Sequence, residues 1–101
     1  MNQNIEILNR FEKYLEQKGY SVVTPSGLKS TCHDYSHVRI PAVCNREQIS
    51  VPMLINNIDR IVTKYDRFGS ESEFGNKSHR AVINALKRFK EFTESDYFSK
   101  S

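Results

Sequence analysis

The stretch KSHRAVINALKRFKEF, residues 77–92, is the most informative part of this sequence. Its apolar residues recur at steps of three and four, which is the pattern of an α-helix with one buried face. These apolar residues are Val82, Ala85, Leu86, Phe89 and Phe92. Ser78 stands where an N-cap is expected, since its hydroxyl can accept a hydrogen bond from a free N–H of the first turn. The stretch therefore predicts a long amphipathic helix capped by Ser78.

The polar face of this predicted helix is strongly basic. Five Lys or Arg residues accompany one acidic residue, so residues 77–92 carry a local charge of +4, while the whole chain carries +3. The helix dipole favours cations near the C-terminal end, but it does not explain Lys77 and Arg80 at the other end. The pattern indicates contact with nucleic acid, with cations on phosphates or guanine edges and Asn84 on an adenine edge. The alternative is an ordinary solvated helix face.

The beginning of the chain predicts another amphipathic helix. Over residues 4–18 apolar side chains recur at helical steps, while charged side chains take the opposite side. Gly19 follows the last turn, where many helices end in a left-handed residue that glycine adopts without strain. The predicted buried residues are Ile7, Leu8, Phe11, Tyr14 and Leu15.

A weaker helical pattern follows, delimited by two prolines. Thr24 before Pro25 is suited to begin this second helix. Ile40 is predicted to end it, because proline disfavours helical backbone in the residue that precedes it. A loop is then expected over residues 41–48, and β-branched residues leave open a short extended segment over residues 20–24. The predicted buried face of this helix consists of Leu28, Cys32, Tyr35 and Val38.

Ser50 is predicted to cap a third helix with a strong apolar stripe. The stripe consists of Leu54, Ile55, Ile58, Ile61, Val62 and Tyr65. Residues 66–77 contain two glycines and read as a polar connection, with Phe68 and Phe74 expected to fold back onto the core. The tail over residues 93–101 lacks clear periodicity, and we expect it to fray unless Tyr97 and Phe98 dock on the core.

Four predicted helices joined by loops favour a compact all-α domain, packed as an orthogonal bundle. At 101 residues the chain is one domain, residues 1–101, with its core over residues 4–92. No apolar run approaches the roughly 18 residues of a membrane span, and no secretory signal is recognised. Only two cysteines occur, which is typical of reduced thiols. We therefore expect a cytoplasmic protein that does not bind membranes.

Four residues of metal-binding type lie close together in the sequence: Cys32, His33, His37 and Cys44. They would suit zinc in kind, but their spacing matches no common zinc-finger pattern. The favoured interpretation places Cys32 in the core and both histidines on the surface, and we expect no metal or other cofactor. Asp34 beside the histidines supplies a residue of catalytic-triad type, yet nothing in the sequence assembles a nucleophile, base and oxyanion hole. We expect no catalytic role.

Three motifs, in order, resemble the SAM-like core-binding domain of tyrosine recombinases (phage integrases). They are FEKYLEQKGYS over residues 11–21, Thr31-x3-Tyr35, and the final stretch over residues 77–92. That domain opens with Phe-x2-Tyr-Leu-x3-Gly, enters its second helix through Thr-x3-Tyr, and closes with a Ser-led amphipathic helix. The resemblance covers residues 5–92. Two features depart from the family: a longer link before Thr31, and the early proline in the second helix.

The resemblance implies a four-helix SAM-like fold that grips duplex DNA through its second and fourth helices. In that family a separate domain carries out catalysis, and this chain has no room for it. The chain is therefore either a fragment of a longer integrase-like protein or a free-standing protein with only the fold. The implied contact residues are Lys29, Thr31 and His33 on the second helix, with Ser78, Arg80, Asn84, Lys87 and Arg88, beside Lys77, on the fourth.

One alternative function stays open at this point. A small helical domain of this kind could instead dock onto a larger protein, as a phage or mobile-element accessory factor, because the fold alone does not choose between partners. The residues that would form such a surface are Tyr20, Val22 and Val23, whose exposure would leave an apolar patch.

Overall fold

A computed structural model describes residues 3–20 and 31–95. The helices are α1 (Gln3–Gln17), α2 (Thr31–Asp34), α3 (Ile40–Glu47), α4 (Val51–Asn56), α5 (Ile58–Tyr65), α6 (Ser72–Gly75) and α7 (Lys77–Thr93), with a π-helical turn at Tyr35–Arg39 between α2 and α3. These ranges contain no β-strand, so the predicted all-α class is confirmed. In the same part of the chain, no helix is long and apolar enough to cross a membrane.

The C-terminus of α1 closes in the left-handed turn that its sequence predicts. Gly19 has a φ of 94°. The N–H of Tyr20 donates to the carbonyl of Leu15, and the N–H of Gly19 donates to that of Glu16, both at 3.1 Å. This pair of bonds is the Schellman motif, which satisfies carbonyls that the helix leaves free. The turn brings Tyr20 back over the end of its own helix.

The core is built mainly where α1 meets α7. The ring of Phe11 packs edge-to-face on Phe89, with centroids 5.0 Å apart, and Phe92 lies 5.5 Å from both Phe11 and Tyr14. Aromatic pairs prefer such edge and tilted arrangements. Every predicted apolar residue of α7, and all those of α1 except the partly buried Ile7, is buried. The two amphipathic faces predicted from the sequence are therefore confirmed.

The second predicted helix does not end at Ile40, so the prediction of a loop over residues 41–48 is wrong. The N–H of Ile40 donates to the carbonyl of Tyr35, five residues back, and the helical path then continues through Pro41 to Glu47. Proline lacks an N–H and clashes with the preceding turn of a regular α-helix. The wider π turn gives the ring room, and Pro41 then occupies the first turn of α3, where its missing N–H is not needed.

The π turn also changes which residues the second helix buries. Val38, predicted to face the core, is 37% exposed, whereas Ser36 is completely buried. The π turn holds one residue more than an α-helical turn, which rotates the following side chains around the axis. Cys32, before the turn, is buried as predicted. The predicted start at Thr24 and Pro25, and the predicted core residue Leu28, lie outside the described residues.

The third predicted helix is two helices with a break at Asn57. Ser50 caps α4 as predicted, because its Oγ accepts a hydrogen bond of 3.3 Å from the N–H of Met53. Asn57 has a φ of −117° and donates from its side chain to the carbonyl of Met53 at 2.9 Å. An Asn side chain that bonds nearby backbone competes with the helical ladder. The apolar stripe continues across this break, since Leu54 and Ile61 are both completely buried.

The connection between α5 and α7 contains α6. Phe74 packs on the core as predicted, with its ring 5.9 Å from that of Tyr65. Phe68 does not, since it is 95% exposed. The N–H of Gly69 bonds to the carbonyl of Asp66 at 2.9 Å, so residues 66–69 form a tight turn with Phe68 near its tip. A turn this short points the ring away from the core.

The last helix begins earlier than predicted. Its N-cap is Asn76 rather than Ser78, which lies inside the first turn of α7. The side chain of Asn76 donates to the carbonyl of Ser72 at 2.8 Å, so it bonds to α6 and forms no capping hydrogen bond with α7. α6 and α7 therefore follow each other with a single residue between them, and this leaves no extended residue at which Ser78 could act as a cap.

Candidate nucleic-acid interface

A cleft of about 470 Å³ lies between the C-terminal end of α5 and the polar face of α7. We call it the basic cleft. Its charged and aromatic lining consists of Asp66, Arg67, Phe68, Arg80 and Lys87, with Val62 and Thr63 from α5 alongside. Three cations and one carboxylate thus line the same cleft. Two of the three belong to the helix that the sequence singled out.

Asp66 organises the charges of the basic cleft. Its Oδ1 accepts a hydrogen bond of 2.7 Å from the backbone N–H of Arg67, and its Oδ2 lies 3.4 Å from Nζ of Lys87. The Nη2 of Arg80 is 3.7 Å from Oδ1. The Arg67 N–H, followed by the charges of Lys87 and Arg80, holds the pKa of Asp66 below its usual range. At neutral pH the cleft therefore combines one negative with three positive side chains.

Arg80 enters the cleft from an unusual backbone conformation. Its φ is 66°, the left-handed region, which costs a residue with a Cβ about 1–2 kcal/mol. Within the described part of the chain, its Nε is buried without a hydrogen-bond partner. The side chain as a whole is still 40% exposed, and that of Lys87 is 38% exposed. Both cations therefore remain open to a ligand in solution.

Phe68 is the most exposed large apolar side chain of the described residues. It stands at the tip of the turn over residues 66–69, beside the exposed Arg67. An aromatic ring next to cations can stack on a nucleic-acid base while the cations bind phosphate. Neither residue is predicted from the sequence to belong to a binding surface. Asp at the first and Gly at the last position of a four-residue turn is a known turn signature, and it could have placed Phe68 at the surface.

Two other predicted contact residues of α7 are engaged within the protein. Asn84 forms a side-chain hydrogen bond with Tyr35. Arg88 donates to the hydroxyl of Tyr20 at 3.3 Å and forms an ion pair of 2.8 Å with Glu91. These contacts link α7 to the π turn and to the end of α1. A nucleic acid would have to compete with them for either side chain.

The remaining predicted contact residues are not gathered at the basic cleft. His33 stacks on His37, with centroids 5.1 Å apart and ring planes 12° apart, close to Glu12 of α1. Thr31 begins α2 and is half-buried. Lys29 and the side chains of Lys77 and Ser78 lie outside the described part of the chain. The structure therefore unites Arg80 and Lys87, and it places His33 in a separate cluster.

The two cysteines are buried, and burial raises the pKa of each thiol to about 11. Cys32 donates from its Sγ to the carbonyl of Tyr20 at 3.4 Å. Thiols that remain protonated at neutral pH are poor nucleophiles and poor metal ligands. The predicted core position of Cys32 is confirmed, whereas the histidines, expected at the surface, are half-buried.

No protein-family model matches this sequence, and neither a curated protein nor a solved structure matches it. The resemblance to the recombinase core-binding domain thus stays a prediction based on three motifs.

Proposed function

We propose that this protein is a non-catalytic DNA-binding module that contacts the phosphate backbone through the basic cleft. One observation carries the proposal: Arg67, Arg80 and Lys87 line one cleft with a single carboxylate, beside Phe68, which is 95% exposed. A folded domain gains by burying a phenylalanine, so an aromatic ring left in water beside cations points to a ligand with both charge and flat rings.

The affinity of such a surface depends on salt. Each phosphate neutralised by Lys or Arg releases counterions, so the binding constant falls as salt rises. With about three cations in reach, the cleft accounts for modest affinity and a shallow salt dependence. Asp66 is a competitor in the same cleft, since it neutralises part of the charge that phosphate would meet.

The motif order supports the same proposal. In the core-binding domain that the sequence resembles, the last helix contacts DNA, and here Arg80 and Lys87 both belong to α7. In this interpretation the four helices of a SAM-like arrangement are α1, the composite helix over residues 31–47, the pair α4 and α5, and α7. Duplex DNA is then the expected ligand, with Phe68 at the edge of the contact.

The test measures fluorescence anisotropy of a labelled duplex and of a single strand of equal length, each at several salt concentrations. Arg67→Gln and Lys87→Gln are each expected to weaken binding and to reduce the salt slope by about 1. Lys13→Gln removes the same charge from the exposed face of α1 and is the matched control. We expect it to change neither quantity measurably.

Phe68→Ala separates stacking from charge. If the ring stacks on a base, the alanine variant loses roughly 5- to 150-fold in affinity for the single strand, with the salt slope unchanged. For a duplex bound only by phosphates, the loss is smaller. Absence of binding at low salt, or equal losses in Lys13→Gln and Lys87→Gln, would contradict the proposal.

The alternative, a protein-interaction module, is less well supported. Tyr20, one of its three predicted contact residues, packs on the ring of Tyr35 with centroids 6.0 Å apart and accepts a hydrogen bond from Arg88. It is therefore engaged within the fold. Val22 and Val23, the other two, lie outside the described residues.

A further inference from the structure

Three side chains of metal-binding type meet on the side of the molecule where α1 faces the start of the second helix. Glu12 of α1, His33 of α2 and His37 of the π turn each bring one ligand atom to within 4.8 Å of the others. All three residues are half-buried. The two imidazoles lie one helical turn apart and are nearly parallel. The carboxylate comes from a different helix, so the cluster is a product of folding.

The hydrogen bonds of His37 orient its ring. Its Nε2 lies 3.0 Å from Oδ1 of Asn9, and a neutral imidazole that donates from Nε2 to this oxygen keeps its lone pair on Nδ1. That Nδ1 lies 3.7 Å from Oε1 of Glu12. A metal-binding imidazole usually donates its other N–H to an oxygen in this way, which fixes the tautomer and the direction of the lone pair. The hydrogen bond to Asn9 thus orients the His37 ring so that Nδ1 can bind a metal ion.

Ser36 provides a second partner for the same nitrogen. Its Oγ lies 2.7 Å from Nδ1 of His37 and also 2.7 Å from the carbonyl oxygen of Cys32. A hydroxyl has one hydrogen, so it cannot donate fully to both acceptors. A metal ion on the lone pair of Nδ1 would need the space that the Ser36 hydroxyl occupies, so this hydroxyl has to turn away from His37, and it can still donate to Cys32. Metal binding would therefore leave no buried hydroxyl without a partner.

We propose that Glu12, His33 and His37 bind a divalent transition-metal ion, zinc in the first instance, with water completing its coordination. Two imidazoles and one carboxylate are a donor set that zinc accepts, and three protein ligands leave a fourth position open. In a tetrahedral zinc site, ligand atoms about 2.0–2.1 Å from the metal lie about 3.4 Å apart. The 3.7 Å between His37 and Glu12 is close to this value. All three ligand atoms lie within 4.8 Å of one another, so side-chain rotations have to bring the rest of the set to this spacing.

The π turn is a second reason to assign function to this region. Single π turns within helices occur frequently at functional sites, because they re-aim side chains at the cost of regular hydrogen bonding. Here the turn Tyr35–Arg39 contains His37. A metal ion at this position would tie α1 to the second helix, and this inference does not depend on DNA binding.

The experiment titrates the reduced, metal-stripped full chain with Zn²⁺ by calorimetry and with Co²⁺ by visible spectroscopy. We expect one equivalent to bind, with the d–d bands of four-coordinate cobalt and without thiolate-to-cobalt charge transfer. Zinc at a hundredfold excess over Kd is expected to raise Tm by about 10–20 °C.

Variants test whether these residues bind the metal ion. His33→Gln, His37→Gln and Glu12→Gln should each weaken binding at least tenfold, and Asn9→Ala about 10- to 100-fold through its effect on His37. His79→Gln, which removes the only other histidine, is the control and should bind normally. Circular dichroism of the metal-free variants checks that each is folded. Undiminished binding in His37→Gln or a thiolate–cobalt band would overturn the proposal. A Kd for zinc in the millimolar range of a weak surface site would also overturn it.

Discussion

Nζ of Lys87 lies 3.4 Å from Oδ2 of Asp66, so the last helix holds a cation against the carboxylate that ends α5. Both side chains are more than one third exposed. Exposed ion pairs of this kind contribute little to stability, because water screens them and both side chains lose freedom. The pair therefore matters more for the charge of the basic cleft than for the fold.

Replacing Asp66 by Asn tests this view of the cleft. Removal of one negative charge about 4 Å from a bound phosphate is worth about 1 kcal/mol in water, so we expect Asp66→Asn to bind DNA roughly fivefold more tightly. Anisotropy titration at fixed salt measures the change. Asp59→Asn, which removes an exposed carboxylate of α5 outside the cleft, is the control. Weaker binding in Asp66→Asn would count against a phosphate site.

Gly75→Ala should destabilise the protein. A Cβ at this buried position would overlap the backbone carbonyl oxygen of Tyr65, which belongs to another helix and cannot rotate away. Overpacking against rigid neighbours typically costs about 1–3 kcal/mol. Urea unfolding followed by circular dichroism measures the loss. Glu73→Ala, an exposed change in the same short helix, is expected to stay within about 0.5 kcal/mol of the parent.

The stability of the protein should depend on pH through Glu47. Its Oε2 accepts a hydrogen bond of 2.7 Å from the hydroxyl of the buried Tyr65 and lies 3.0 Å from Nζ of Lys64. Burial alone would raise the pKa of Glu47, but these two partners outweigh burial and hold it below the usual range. The unfolded chain then binds more protons below about pH 5. This contribution is present at neutral pH and is lost as pH falls through the lowered pKa.

Two variants measure this contribution. Glu47→Gln should show a smaller loss of unfolding free energy between pH 6 and pH 3 than the parent, because the group that titrates is gone. Tyr65→Phe removes a hydrogen bond to a charged group and should cost about 1.5–3 kcal/mol at pH 7, and less at pH 3. Urea unfolding at each pH gives both values. The exposed Glu16→Gln should follow the parent curve, and an equal pH slope in Glu47→Gln would refute the assignment.

Ser50→Ala should shorten or weaken α4. The alanine removes the acceptor of the Met53 N–H, and loss of such an N-cap costs about 1 kcal/mol. Ser50→Asp should recover this loss, since a carboxylate caps equally well and also interacts favourably with the helix dipole. Thermal unfolding of both variants, with the exposed Ser70→Ala for comparison, provides the measurement. If both Ser50 variants lose equal stability, the hydroxyl does not act as a cap.

Several local signals of the sequence predicted the ends of helices correctly. Gly19 ends α1 because a left-handed residue is needed there, and Ser50 begins α4 because its hydroxyl reaches a free N–H. The helical period of α1 and α7 predicted their buried faces, since burial of apolar side chains on one side of a helix is the main source of its stability. Pro41 misled the prediction, because a π turn accommodates a proline that an α-helix would exclude.

The two candidate sites depend on the tertiary structure. The sequence by itself determined the all-α class, the buried faces of α1 and α7, and the basic character of the last helix, because these follow from periodicity and charge within single segments. Only the folded chain brought Asp66 and Phe68 to Arg80 and Lys87, or Glu12 to the two histidines. Such contacts join residues far apart in sequence, and their geometry depends on how the helices pack against one another. Periodicity within one helix carries no information about that packing.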